Sequence, residues 1–296
     1  MIAPPELDGV RHRDVRVNGV RLHLAEMGPD EASPLVLAHG WPQNWWCWRH
    51  VAPLLAPHFR CLMPDLRGHG WSEAPKEGYE KERIAADLVG LMDALGLNRV
   101  GFIGHDWGGY VGMLIAMERP DRLSALLALS IAHPWPSWRD RLNPWRLAAL
   151  SYQLPLSTPF LGERLMRAGA TRQVLRRAAP SGTYAEKDLA AFDEPMRSRD
   201  GARATVALYR AFLLRELPSI AAGRFQAARL RVPARLVVGE KDPIIRGADL
   251  GGFEDHATLM TVERVPGVGH FLPEESPGLV VKHAEDLFEG TRGASA

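Results

Sequence analysis

Two cysteines in 296 residues leave little scope for covalent cross-linking. Cys47 and Cys61 form neither a zinc-ligand spacing nor a disulfide framework, so packing is their expected role. Net charge is nearly absent: 36 basic against 35 acidic residues give +1. That balance gives no global attraction to nucleic acid or to an anionic membrane. Long apolar runs are missing, and stretches such as ALLAL at 125–129 fall far short of the ~20 residues that span a bilayer. The opening MIAPPELDGV has no basic stretch followed by an apolar run, so no signal peptide is expected. No internal repeat or low-complexity tract is visible. What remains is ordinary globular composition, 46% hydrophobic and 24% charged. The expectation is a soluble, cytoplasmic protein, one core carrying an insertion, with neither nucleic acid nor membrane as partner.

Periodicity gives the elements. VRVNGVRLHLAE (15–26) alternates around Asn18-Gly19, which suits a two-residue hairpin turn. PLVLAH (34–39) and FRCLMPD (59–65) read as buried strands. In residues 80–95, Ile84, Leu88, Leu91, Met92 and Leu95 recur at helical spacing, and Gly96 ends the helix. RVGFIGHD (99–106) predicts a strand, GGYVGMLIAMERP (108–120) a helix and LSALLALSI (123–131) a strand. The texture then changes: residues 134–230 hold many prolines and helical stretches such as TVALYRAFLLREL (205–217). Alternation resumes with ARLVVGE (234–240) and LMTVERVPG (259–267), and a helix follows over 276–289. The pattern predicts a mostly parallel α/β sheet in three parts: core 1–133, helical insertion 134–230, core 231–296. The insertion carries 15 Arg and 1 Lys against 8 acidic residues. This is either a solvated helical surface or an attraction for an anionic substrate.

GHDWGG (104–109) follows a strand and precedes a helix. It resembles the Gly-x-Ser-x-Gly turn that lifts a nucleophile above the strand ends, with Asp106 where serine would stand. Gly104, Gly108 and Gly109 permit the tight backbone. A carboxylate there can attack an electrophilic carbon and form an ester. Hydrolysing that ester needs a base and donors for an oxyanion. His270 in GVGHF (267–271) and Asp242 in GEKDP (239–243) follow the last two strands, so the chain order is nucleophile, acid, histidine. His270 would activate water and Asp242 would fix its tautomer; Glu240 and Asp249 are the other acids near that loop. Backbone N–H groups of Trp107 and of Trp41, in HGWP (39–42), are the expected oxyanion donors. His39, Trp41 and Trp107 are expected to line the pocket, His39 chiefly by organising its loop. The aromatic GWPQNWWCW (40–48) either packs under the insertion or walls a hydrophobic substrate.

HGWP, DLRGHGWS (65–72), GHDWGG, GEKDP and GHF together resemble the α/β-hydrolase-fold epoxide hydrolases over about residues 15–290. The resemblance implies an α/β-hydrolase fold with a helical cap after the sixth strand. It implies an Asp106 hydroxyalkyl ester, its hydrolysis to a vicinal diol, and neither metal nor organic cofactor. Two cap tyrosines are implied as acids, Tyr152 in SYQLPLSTPFLGE (151–163) and Tyr209 in ALYRAF (207–212); Tyr184 has no matching context. The expected partners are a small hydrophobic epoxide and water, with a homodimer left open. The same Asp nucleophile occurs in haloalkane dehalogenases, in which a polar residue usually replaces Trp41. That reading stays open, as does a non-catalytic receptor or scaffold of the same fold.

Overall fold

The Asn18-Gly19 turn places both residues at positive φ, 49° and 80°, as a type I′ turn requires. It joins β1 (Arg11–Val17) to β2 (Val20–Met27) in antiparallel register, Val17 opposite Val20. In this computed structural model, residues 3–135, 151–245 and 250–289 are described. β1 begins four residues before the alternating pattern does. As an edge strand it carries exposed Arg11, Arg13 and Arg16, charges that hide its periodicity and discourage edge pairing.

Among the described residues one eight-stranded sheet runs β1-β2-β4-β3-β5-β6-β7-β8. The further strands are β3 (Ser33–Ala38), β4 (Phe59–Pro64), β5 (Val100–His105), β6 (Leu123–Leu129), β7 (Ala234–Gly239) and β8 (Met260–Val265). Every pairing from β4 to β8 is parallel. β5 is central and buried throughout, which accounts for its unbroken apolar run. After a single turn, α1 (Ala52–Leu55), come α2 (Lys81–Ala94) and α3 (Trp107–Glu118). Ile84, Leu88, Leu91 and Leu114 of α2 and α3 pack on one face of the sheet. Trp45, Trp48, Leu55, Val280 and Phe288 pack on the other. Gly96 ends α2 at φ 69°, its N–H bonded to the Asp93 carbonyl.

Between β6 and β7 lie α4 (Gln153–Ser157), α5 (Leu161–Arg167), α6 (Ala170–Ala178), α7 (Glu186–Arg197), α8 (Arg199–Ala211) and α9 (Leu217–Ala221). This is the cap. The helix expected at 205–217 starts earlier, because the Ser198 hydroxyl accepts from the Gly201 N–H at 2.9 Å and caps α8. It then widens into a π turn over Phe212–Glu216 before α9. After β8, α10 (Leu272–Glu275) and α11 (Pro277–Glu289) close the chain's described part.

Candidate active site

Asp106 stands between the end of β5 and the start of α3, at φ 50° and ψ −122°. A side chain with a Cβ is strained there, at a cost on the order of 1–3 kcal/mol. Its backbone is held on both sides: the N–H donates to the Leu129 carbonyl at 2.9 Å, and the carbonyl accepts from the Tyr110 N–H at 3.1 Å. Glycine is required nearby because backbones approach closely. A Cβ on Gly108 would lie 2.1 Å from the Ala38 carbonyl oxygen, and one on Gly40 would lie 2.4 Å from Asp106 Oδ2. With no side chain at Gly40, the Trp41 N–H reaches that Oδ2 at 3.0 Å. The carboxylate also accepts from the Trp107 N–H. Burial pushes the Asp106 carboxyl up to about 6, against the opposing pull of His270 and the two N–H donors.

His270 Nδ1 lies 2.8 Å from Asp242 Oδ2. The other oxygen of Asp242 accepts from the N–H groups of Ile244 and Ile245 at 2.7 and 3.1 Å. Burial works against the Asp242 charge, but His270 and these donors outweigh it and hold the carboxyl below its usual range. For His270, burial opposes protonation; the charge and hydrogen bond of Asp242, then the charge of Asp106, outweigh it and raise the imidazole. Nδ1 is committed to Asp242, which leaves Nε2 for proton transfer. Of the other acids near this loop, Glu240 is exposed and Asp249 lies outside the described residues.

Two cap phenols converge. The hydroxyls of Tyr152, half-buried at the start of α4, and Tyr209, fully buried on α8, lie 3.5 Å apart. The Trp41 ring stacks on Tyr152 and meets Tyr209 edge-on, with centroids 6.2 and 5.2 Å apart. Burial, reinforced by the charge of Asp106, pushes Tyr152 up to about 12. Burial again leads for Tyr209, with Tyr152 and Asp106 adding to it, and raises that phenol well above its ordinary value. Tyr184 is elsewhere, its hydroxyl accepting from the Gln43 amide at 3.3 Å.

His39 does not offer a nitrogen to a pocket. Nε2 accepts from the Leu66 N–H at 3.0 Å and Nδ1 donates to the Gly40 carbonyl at 2.9 Å. Burial keeps the ring neutral by lowering its pKa, so its place is beneath the HGWP loop. Of the aromatic stretch, Trp41 alone reaches Asp106. Trp45, Trp46 and Trp48 form a buried 3₁₀ turn. Trp46 Nε1 donates to Asp188 of the cap at 2.9 Å, which is packing under the cap rather than a substrate wall.

Sequence reasoning missed two partners. His105 Nε2 donates to the His270 carbonyl at 2.8 Å, and burial, with His270 adding to it, drives the ring to about 3, so it is a neutral brace. Its only signal is its place before Asp106. Thr205 Oγ1 accepts from the Trp41 indole N–H at 3.2 Å, a contact between core and cap with no local sequence signature. The basic cap is laced with ion pairs, such as Arg172 with Glu186 and Arg203 with Asp200, at 2.8 Å each. They fit a solvated surface. Among the described residues no cluster of His, Cys, Asp and Glu could hold a metal, and no helix is long and apolar enough to cross a membrane.

Residues 33–277 match a family model described as alpha/beta hydrolase fold. A soluble epoxide hydrolase of Corynebacterium sp. (strain C12) is 43% identical over 122 residues, 41% of this chain and 42% of that protein. The aligned stretch thus spans less than half the length of that relative. Epoxide hydrolase 3 of Siraitia grosvenorii is 29% identical over 95% of this chain and 99% of its own length. Among solved structures, that of a putative acyltransferase from Salmonella enterica has a TM-score of 0.87 at 30% identity, covering 98% of both chains.

Proposed function

Because the chain belongs to the alpha/beta hydrolase fold family, and its site presents a carboxylate where a hydroxyl nucleophile would stand, we propose that it is an epoxide hydrolase. In this reading Asp106 Oδ2 sits against the Trp41 N–H, the Trp107 N–H also donates to the carboxylate, and Oδ1 attacks an epoxide carbon. The ring C–O bond breaks, and the alkoxide takes a proton from Tyr152 or Tyr209. The new ester already has its carbonyl oxygen, Oδ2, on the Trp41 N–H. His270 Nε2 removes a proton from water, and the hydroxide adds to the ester carbon. Negative charge develops on Oδ2, where preformed donors stabilise it without reorganisation. Collapse breaks the acyl C–Oδ1 bond, His270 returns the proton to the departing diol oxygen, and the proton left on the Asp106 carboxylic acid returns to the phenolate, which restores both groups. Asp242 holds the imidazole in the required tautomer. The insertion bounded by residues 134 and 230 supplies the acids, and a small hydrophobic epoxide suits the aromatic surroundings.

The observation that carries the reading is the pair of protonated phenols, 3.5 Å apart, facing a buried carboxylate. Forming an ester on carbon calls for such acids when the leaving group is a basic alkoxide oxygen, and not when it is a halide. A haloalkane dehalogenase is the second reading, since the nucleophile is the same. It needs N–H donors for halide, and the Trp41 indole N–H is already engaged by Thr205. Acyl transfer, the activity named for the Salmonella neighbour, would place an anhydride on Asp106 and leave the phenols idle. Assaying aryl epoxides and haloalkanes side by side tests the proposal. Diol formation without comparable halide release is expected. Faster halide release would favour the dehalogenase, and inertness towards both would favour a scaffold.

A further inference from the structure

Lys81 opens α2 and is wholly buried. Its Nζ lies 2.8 Å from Glu216 Oε2 and 4.3 Å from the centroid of the Trp107 ring. The Leu208 carbonyl stands at 3.5 Å and the Phe212 ring at 5.2 Å. The second oxygen of Glu216 accepts from the Lys81 backbone N–H, which anchors the start of α2. Trp107 and Phe212 meet edge-on with centroids 4.8 Å apart. One ammonium therefore meets the residue after the candidate nucleophile and two residues close to Tyr209 in the chain, Leu208 just before it and Phe212 three positions after. Glu216 closes a π turn immediately after the Tyr209 helix, and such turns recur at functional sites.

A buried ion pair is weak evidence for stability, because apolar side chains of similar volume often serve as well or better. The fully buried Lys81 is an expensive way to hold two elements together unless its geometry matters. Burial lowers the ammonium's pKa, and Glu216 first, then Glu82 and Asp106, oppose it; the contact with the Trp107 ring joins this charge to the nucleophile turn. Ammonium over indole is a directional contact. It fixes the distance between α8 and the nucleophile turn more tightly than apolar packing would.

We propose that Lys81, paired with Glu216, is a positioning residue for ring opening: it clamps the Tyr209 helix to Trp107 and so holds the Tyr209 hydroxyl over Asp106. The inference rests on the epoxide hydrolase reading and deepens it. Lys81 touches no reacting atom. Its effect passes through Tyr209, and ester hydrolysis, which uses His270, is spared.

The test is single-turnover kinetics with styrene oxide, following formation and decay of the alkyl-enzyme by acid quench and intact-protein mass spectrometry. The variant Lys81→Met/Glu216→Met removes both charges, so neither is left buried alone. Its alkylation is expected to slow by about tenfold or more, the scale of a misplaced general acid, while ester decay stays within about twofold. In a Tyr209→Phe background the same double change is expected to cost less than about twofold, because coupled residues are non-additive. Glu216→Gln, which keeps the volume but loses one of the two hydrogen bonds accepted from Lys81, is the second variant and should show the same non-additivity. A purely structural clamp would lower Tm and leave alkylation per folded molecule unchanged; that result, or full additivity with Tyr209→Phe, overturns the inference. Absence of any adduct in the wild-type protein would instead overturn the epoxide reading, and the inference with it.

Discussion

A glutamine in place of His270 would leave Asp106 free to attack but would remove the base for the second half-reaction. His270→Gln is therefore expected to alkylate and stall, and intact-protein mass spectrometry after styrene oxide should show a gain of one substrate mass; rapid steady turnover would remove His270 from this role. In the proposed mechanism the cap phenols act in the first half-reaction. A general acid is commonly worth about 10²–10⁴-fold, and the two hydroxyls, 3.5 Å apart, can cover for one another. Single Tyr152→Phe and Tyr209→Phe variants should lose moderately, whereas the double variant should lose nearly all diol formation with its circular dichroism unchanged. Protonation states set the pH profile. Asp106 attacks only as a carboxylate, and burial lifts it to about 6, so kcat/KM should fall as pH drops below that value. Burial raises both phenols, Tyr152 to about 12. Loss of the acids should therefore bring no alkaline limb near 10, where an ordinary phenol titrates. Esterification also removes the Asp106 charge that helps keep His270 protonated, so ring opening itself shifts the imidazole towards its basic form.

Elements decide how much of this could be read in advance. The strand-turn-helix around Asp106 was legible because three glycines, an apolar strand and a helical repeat coincide in one short stretch. The hairpin was legible for the same reason, since Asn18-Gly19 has few other uses. β1 was only half legible, because edge charges erase alternation. The Asp242 and His270 loops could be ordered along the chain, and the structure brings their side chains to 2.8 Å. Partners that join distant elements had no signal: Thr205 meets Trp41 across 164 positions, and Glu216 meets Lys81 across 135. His39 was half legible, since a histidine after a buried strand reads equally as ligand or brace until its two backbone partners are known. The loop after β3 yields its own prediction. Gly40→Ala drives a Cβ to within 2.4 Å of the Asp106 side chain. The variant should fold but lose alkylation by about 10²-fold, as expected for an ångström-scale displacement of a nucleophile; near-normal alkylation would show that the loop can yield.

At the scale of the molecule, the cap is tied to the core on two sides, by Lys81 with Glu216 and by Arg49. The Arg49 guanidinium lies 3.2 Å from Asp188 of the cap and 2.8 Å from Glu274 of α10. Burial outweighs Arg49 and pushes the Glu274 carboxyl from 4.5 up to about 7. A carboxyl raised on folding favours the folded state at low pH, and that contribution is lost as pH rises from its unfolded value through the folded one. Glu274→Gln removes the titration. Relative to wild type, the variant should gain stability between about pH 5 and about pH 8, by on the order of 2 kcal/mol; thermal melts of both proteins across that range would reveal a flat difference if Glu274 stays ionised throughout. In the proposed mechanism the reacting atom is Oδ1 of Asp106, and its transfer to the product is the central claim. Single turnover of styrene oxide in heavy-oxygen water, with enzyme in excess, measures it most directly. The expected result is a diol whose added oxygen is unlabelled and an Asp106 peptide that has gained the heavy isotope. Solvent oxygen in the first-turnover diol, with Asp106 unlabelled, would contradict it.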